Sequence, residues 1–228
     1  MKPTRARSLL PRPSHASRLP AFALLLLASF ATGCSGLLQA PPDSSRYFVL
    51  SSLETAPPPE HPLRHPDIHF GLGPVKIPAY LDNQSLVRSG GGSLDYIPDA
   101  YWAESLTTGF PRALLFRTGA RIGTTHAIAY PWYSTTRVDW KVPVDVLRFE
   151  ATLDGHAVLV ARWSVERTSD GAVVAGAQSS YDEVGGADAA QVVDAMSRCV
   201  DRLADAIASA VMQAAEAGPA SAPSRGKR

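Results

Sequence analysis

The sequence predicts an α+β fold: a mainly antiparallel sheet with two helices packed on one face, in a single domain. Three observations carry that prediction. Three apolar segments lie in succession between residues 138 and 181, separated by Asp154-Gly155 and by Ser169-Asp170-Gly171, the pattern of an antiparallel meander. A long alanine-rich segment follows in which Val192, Met196, Cys199, Leu203, Ile207 and Val211 recur at helical spacing. Strands precede this helix and surround only one other, an order met most simply by an antiparallel sheet with helices on one face.

Residues 1–33 read as a lipoprotein signal peptide. Lys2, Arg5, Arg7, Arg12 and Arg18 precede an apolar run over residues 21–31, and Ala31-Thr32-Gly33-Cys34 then supplies small residues before a cysteine. The run of about eleven residues covers about half of the roughly twenty that a spanning helix needs, which argues against a transmembrane anchor. Cys34 is therefore the expected lipidation site, carrying a diacylglyceryl thioether and an amide-linked acyl chain, each buried methylene contributing about 0.8 kcal/mol of membrane affinity. Ser35, and not Asp, follows it. That choice favours sorting to the outer membrane, with the domain facing the periplasm. Residues 34–45 form a lipidated tether, residues 46–217 the folded domain, and residues 218–228, rich in Gly, Pro, Ala and Ser, a disordered tail.

The whole chain has 22 basic and 21 acidic residues, and loss of the five basic residues of the signal leaves 17 against 21, a net −4. A weakly acidic domain excludes nucleic acid as the expected partner. Cys199, the only other of the 2 cysteines, has no disulfide partner once Cys34 is acylated, and its place on the apolar stripe predicts a buried, unreactive thiol.

Residues 47–50 read as the first strand, and prolines at 57, 58, 59, 62 and 66 mark the exposed connection after it. His61, His65 and His69 lie in and after this segment, but no cysteine or further clustered histidine joins them, so no metal site and no cofactor is expected. Residues 68–77 form a second strand, with Gly71, Gly73 and Pro74 pointing to a bulge or an edge. Ser89-Gly90-Gly91-Gly92-Ser93 joins two further short strands as a hairpin connection; it lacks the Gly-Lys-Ser/Thr of a phosphate loop. Residues 102–117 read as a helix with Leu106, Phe110 and Leu114 on one face, kinked or restarted at Pro111. In the first meander segment the apolar phase slips from Val142, Val144 and Val146 to Leu147, Phe149 and Ala151, which predicts a bulge near Val146. Asp188 is the expected cap of the final helix and Gly218 its stop.

No Gly-x-Ser-x-Gly, His-Glu-x-x-His, Cys-x-x-Cys or Walker loop occurs, and His126 and His156 offer only dispersed combinations with Asp and Ser, so no catalytic residue is expected.

Several segments are similar to a known family. They are Leu72-Gly73-Pro74-Val75-Lys76-Ile77-Pro78-Ala79-Tyr80-Leu81-Asp82, Trp102-Ala103-Glu104-Ser105-Leu106, Tyr130-Pro131-Trp132, Val144-Asp145-Val146-Leu147-Arg148-Phe149-Glu150 and Ala161-Arg162-Trp163. Their order and spacing resemble the ABC-type transport auxiliary lipoproteins of the PqiC or YmbA kind over residues 45–215. The resemblance implies a non-catalytic periplasmic component of a lipid transport system, working with an MCE-domain protein and an inner-membrane transporter, and open to self-association. It makes Tyr80, Leu81, Asp82, Tyr96 and Trp102 the candidate partner contacts. A structural or cell-wall-binding envelope lipoprotein shares the anchor and is the alternative reading.

Overall fold

The structure is a computed structural model that describes residues 43–50 and 64–217. Cys34, most of the tether, His61, the triple proline, Gly218 and the tail lie outside the described residues. The chain forms β1 (Arg46–Phe48), β2 (Phe70–Lys76), a 3-10 turn (Ala79–Leu81), β3 (Ser85–Gly90), β4 (Ser93–Trp102), α1 (Leu106–Ile122), β5 (Ala127–Ala129), β6 (Trp140–Thr152), β7 (His156–Arg167), β8 (Val173–Val184) and α2 (Ala189–Glu216).

The fold is α+β, with one mixed sheet of eight strands. The meander β6–β7–β8 is antiparallel throughout. On its other edge β6 has two neighbours in turn, both parallel to it: β2 along its first half and β3 at its end. The remaining pairings are short, β5 parallel to β2, β4 antiparallel to β3 and β1 parallel to β4. The predicted bulge is present as a register shift between Val146 and Arg148 opposite Ala161 and Val160. It turns Phe149 and Ala151 inward, where Val142, Val144 and Val146 already point.

The tight connections follow from glycine. The β3–β4 loop is Gly91-Gly92, with φ of 60° and 84°, values that match the twist of a two-residue hairpin. Gly155 closes the β6–β7 turn at φ 81°, and a Cβ there would come within 2.4 Å of the Gly186 carbonyl oxygen.

Helix α2 packs on β6, β7 and β8, and α1 packs against α2, β2 and β5. The predicted stripe of α2 is buried at every position, from Val192 to Val211. At about 1.5–3 kcal/mol for each large aliphatic side chain withdrawn from water, this one face is a principal source of the domain's stability. Asp188 caps the helix by accepting from the Ala190 N–H at 3.0 Å, and Gln191 returns the bond to complete a capping box. Cys199 is fully buried, and burial, reinforced by the nearby Glu183 and Asp182 carboxylates, pushes its thiol pKa up to about 12. A thiol so protected stays protonated and unreactive.

Two expectations are corrected. Trp102 does not begin a helix. It ends the ten-residue strand β4, buried beside Ala100 in strand alternation, and α1 starts at Leu106 behind the cap Ser105, whose side chain accepts from the Thr107 N–H at 3.1 Å. Of the two alternatives at Pro111, the restart is overturned; α1 runs through the proline as one element. The proline lacks the N–H that would bond the Thr107 carbonyl, which lies in an exposed first turn where water can replace it.

The helices are joined by charge as well as by packing. Arg117 of α1, 6% exposed at its side chain, meets Asp201 of α2 at 3.1 Å and also donates to the Ser197 carbonyl. Arg121, one turn on, bridges Asp201 at 2.7 Å and Asp205.

Candidate functional site

The five candidate contacts do not form one patch. Leu81 is 1% exposed and Trp102 3% exposed, so both belong to the hydrophobic core and present no side chain to a partner. Tyr80 is half-buried, while Asp82 and Tyr96 are exposed. Asp82 accepts from the Ser105 hydroxyl at 3.5 Å, tying the turn after β2 to the start of α1. Leu81 lies in the 3-10 turn Ala79–Leu81, where the period of two that runs along β2 no longer holds, so strand alternation could not separate it from Tyr80 and Asp82.

Parts of three of the segments that carry the family likeness meet on the sheet face opposite the helices. Along β6 and β7 the inward positions are Val142, Val144, Val146, Leu159, Ala161 and Val165, which leaves Lys141, Pro143 and Asp145 opposite Glu166, Ser164 and Arg162 on the other face. Lys141 pairs across strands with Glu166, and Asp145 with Arg162 at 3.4 Å. Gly71 of β2 stands beside Lys141 on this face, and the ring of Trp132 lies over it: a Cβ at Gly71 would come within 2.8 Å of Trp132. Tyr130 packs on Gly73 in the same way and meets Trp132 edge to face, with ring centroids 5.4 Å apart. The glycines thus make room for two aromatic rings from the loop after β5, which sequence reasoning left as an isolated motif.

Farther along the face a buried carboxylate organises a polar cluster. The Tyr80 hydroxyl donates to Glu150 Oε2 at 2.6 Å, Arg148 Nε donates to Glu150 Oε1 at 2.7 Å, and Arg148 also reaches the Ser89 hydroxyl at 2.9 Å. Burial pushes the Glu150 pKa up, but hydrogen bonds from Ser89, Tyr80 and Arg148 outweigh it and hold the carboxyl below its ordinary value. Burial, and donation to Glu150, push the Tyr80 phenol the other way, well above its ordinary range. Ser89 and Tyr80 therefore serve as fixed donors to an ionised Glu150.

Removal of the phenol tests this arrangement. Tyr80→Phe is expected to lower stability by about 1.5 kcal/mol at neutral pH, the usual worth of a hydrogen bond to a charged group. Because Glu150 has a depressed pKa in the folded state, its contribution is full above the ordinary carboxylate range and is lost as the pH falls through the lowered value. The gap between wild type and Tyr80→Phe in urea unfolding should accordingly shrink between about pH 7 and about pH 3.

The histidines sit elsewhere. His69 and His126 stack at 4.0 Å between centroids, and burial, then the charge of His126, lowers the His69 pKa. His156 Nδ1 lies 2.7 Å from Asp182 Oδ1, with Asp154 3.9 Å from Nε2. Donation to Asp182 raises its pKa. No group of three or more His, Cys, Asp or Glu able to hold a metal occurs among the described residues. No helix among them is long and apolar enough to cross a membrane.

Fold and face together define an α+β domain that keeps one face of its sheet free of helices. A family model described as the ABC-type transport auxiliary lipoprotein component matches residues 48–208, and the chain belongs to that family. Among solved structures, a Xanthomonas campestris protein carrying the DUF330 family model is similar at a TM-score of 0.55 and 18% identity, over 67% of this chain and 92% of that one. The crystal structure of an uncharacterized protein is similar at a TM-score of 0.55 and 16% identity, over 72% of this chain and 97% of that one. At these identities the likeness establishes the fold. No curated protein matches the chain.

Proposed function

We propose that this lipoprotein is a non-catalytic component of an MCE-type intermembrane lipid transport system, anchored through Cys34 in the outer membrane and docking a periplasmic MCE-domain partner with its helix-free sheet face. Family membership supplies the coarser part, an auxiliary lipoprotein of an ABC-type transport system with the transporter as its partner. The observation that supports docking on this face is the meeting there of segments far apart in sequence: the strand around Gly71 and Gly73, the Tyr130-Pro131-Trp132 loop, and the Tyr80–Glu150 cluster. Surface aromatics on a rigid sheet are suited to interface anchors, and truncating such an anchor costs about 2 kcal/mol or more in binding. Tyr130 is 55% exposed and Tyr96 57% exposed, so both are available to a partner, as is Asp82.

Co-purification from envelope membranes tests the reading. The wild type is expected to carry an MCE-domain protein with it. Tyr130→Ala, and Asp82→Ala combined with Tyr96→Ala, remove exposed side chains without touching the core and should weaken that association at least about tenfold. Cys34→Ser should take up no radiolabelled palmitate and leave the outer-membrane fraction. A wild-type protein that captures no MCE-domain partner would sink the assignment, and palmitate entering Cys34→Ser would sink the anchor. Capture of peptidoglycan in place of such a partner would favour the cell-wall-binding alternative.

A further inference from the structure

We propose that the end of the sheet at which the chain enters β1 rests on the membrane, its glycine turns carrying Leu94, Leu153 and Val184 into the lipid interface. The inference rests on the reading of Cys34 as a lipid anchor, and it adds a second contact with the same membrane, made by the folded domain itself.

Strand direction defines this end. β3 and β6 are parallel and finish side by side, with Ser89 next to Thr152. The β3–β4 hairpin and the β6–β7 turn therefore project together, and Leu153 lies over Gly90, where a Cβ would overlap it. β8 finishes here too: Val184 pairs with His156, and the N–H groups of Gly185 and Gly186 donate to the Gly155 carbonyl at 3.1 and 3.0 Å. β4 starts at this end and β1 is parallel to it, so the chain ahead of Arg46 arrives from the same side. Arg46 accordingly reaches Asp188, just past Val184, at 2.7 Å.

The tips are apolar and their charges are matched. Leu94 is 51% exposed, Leu153 62% and Val184 69%. Asp95 meets Arg88 at 3.2 Å, while Asp154 and Asp182 flank His156 at 3.9 and 2.7 Å. Matched charges give no net pull toward anionic headgroups, so the contact expected of this end is shallow apolar insertion. Chain length selects the membrane as the occupant. Residues 35–43 separate Cys34 from Ser44, and this stretch spans at most about 35 Å. β6, with 13 residues, is by itself roughly 40 Å long. The tether at its fullest stretch thus falls short of bringing the far end of the sheet, at Ser169–Gly171 and Val173, to the bilayer, whereas the near end lies beside its own attachment point. Confinement by the anchor raises the effective concentration of lipid, so three partly exposed side chains suffice where they would not hold a free protein.

The lipidated protein reconstituted in vesicles of phosphatidylethanolamine and phosphatidylglycerol tests the contact. With Cys34 acylated and the Cys199 thiol buried at a pKa of about 12, a nitrobenzoxadiazole dye reacts only with an introduced cysteine. On Ser93→Cys, beside the hairpin tip, lipids brominated along their acyl chains should quench the dye at least about twofold, as expected at interfacial depth. On Ser169→Cys, at the far end, they should not. Leu94→Ser with Leu153→Ser should lower quenching at Ser93 to the level at Ser169 while the protein still floats with the vesicles. Salt at about 1 M should leave quenching at Ser93 unchanged, because no charge attraction holds the end down. Comparison of the two labelled sites needs neither leucine substitution and decides the matter if the double variant misfolds. A chain that takes up no palmitate and does not float overturns the anchor and this contact together. A lipidated chain that floats overturns this contact alone if Ser93 is quenched no more than Ser169, if the leucine substitutions change nothing, or if salt abolishes the quenching. A blue shift at Ser93 that grows with protein density and ignores bromine makes the occupant a second copy of the chain and likewise overturns it.

Discussion

Leu203→Asp is expected to unfold the domain. Leu203 is 0% exposed in the middle of the α2 stripe, facing the sheet together with Cys199 and Ile207. The substitution removes an aliphatic side chain worth about 2–5 kcal/mol when truncated in a core, and it adds a carboxylate with no partner in an apolar site. The sum approaches the whole stability of an ordinary domain, about 5–15 kcal/mol. Thermal unfolding followed by circular dichroism should show no cooperative transition, or one lowered by more than about 15 °C. A melting temperature equal to wild type would show that α2 is not docked on β6, β7 and β8.

Asp201→Ala is expected to have the next largest effect, about 2–4 kcal/mol, though the residue is 40% exposed at its side chain. The cost arises on the other side of the pair. Arg117 is 6% exposed and meets Asp201 at 3.1 Å, and burial already lowers its pKa while Asp201 raises it. Removing one member of a buried pair leaves a desolvated charge, which is more damaging than losing the contact itself. Arg117→Leu with Asp201→Ala should therefore recover most of the loss. Asp205→Ala, which removes only the outer arm of Arg121 from a carboxylate 62% exposed, should cost less than about 1 kcal/mol. Urea midpoints for the single and double variants give the comparison directly.

The most legible parts of the chain were those in which local pattern and burial agree. The β6–β7–β8 meander, the bulge at Val146 and the α2 stripe each rest on a periodicity of two or of 3.6 that the packed structure simply uses. Trp102 was misread because β4 is interrupted: Pro98 and the left-handed Asp99, at φ 53°, break its alternation before Ala100 and Trp102 resume it. Without that continuity Trp102 looks like the first member of the Leu106 and Phe110 face. Strand β5, only Ala127–Ala129, carries no alternation long enough to register and exists because it pairs with β2. The parallel joins of β2 and β3 to β6 are likewise products of tertiary pairing, as no local signal distinguishes a parallel neighbour from an antiparallel one. For the candidate site, sequence resemblance named segments but could not sort their side chains. Leu81 and Trp102 turned inward to the core, whereas the aromatic loop at Tyr130, never chosen as a contact, is brought over Gly71 and Gly73 by long-range pairing.

The first strand gives the domain a mechanical character. β1 is held to β4 over only Arg46, Tyr47 and Phe48, and Arg46 reaches the Asp188 cap of α2 at 2.7 Å through a pair about half exposed on both sides. A pull on the chain ahead of β1 loads first the Ser44 hydroxyl, which donates to Asp99 at 2.6 Å, and then this short strand. Arg46 and Tyr47, held by edge pairing and a solvated ion pair, yield at low force, whereas Phe48, packed against the core, and Leu50, 4% exposed, resist further peeling. The start of the domain can thus give a little slack under tension and then hold, a shock absorber for whatever load the segment ahead of it transmits.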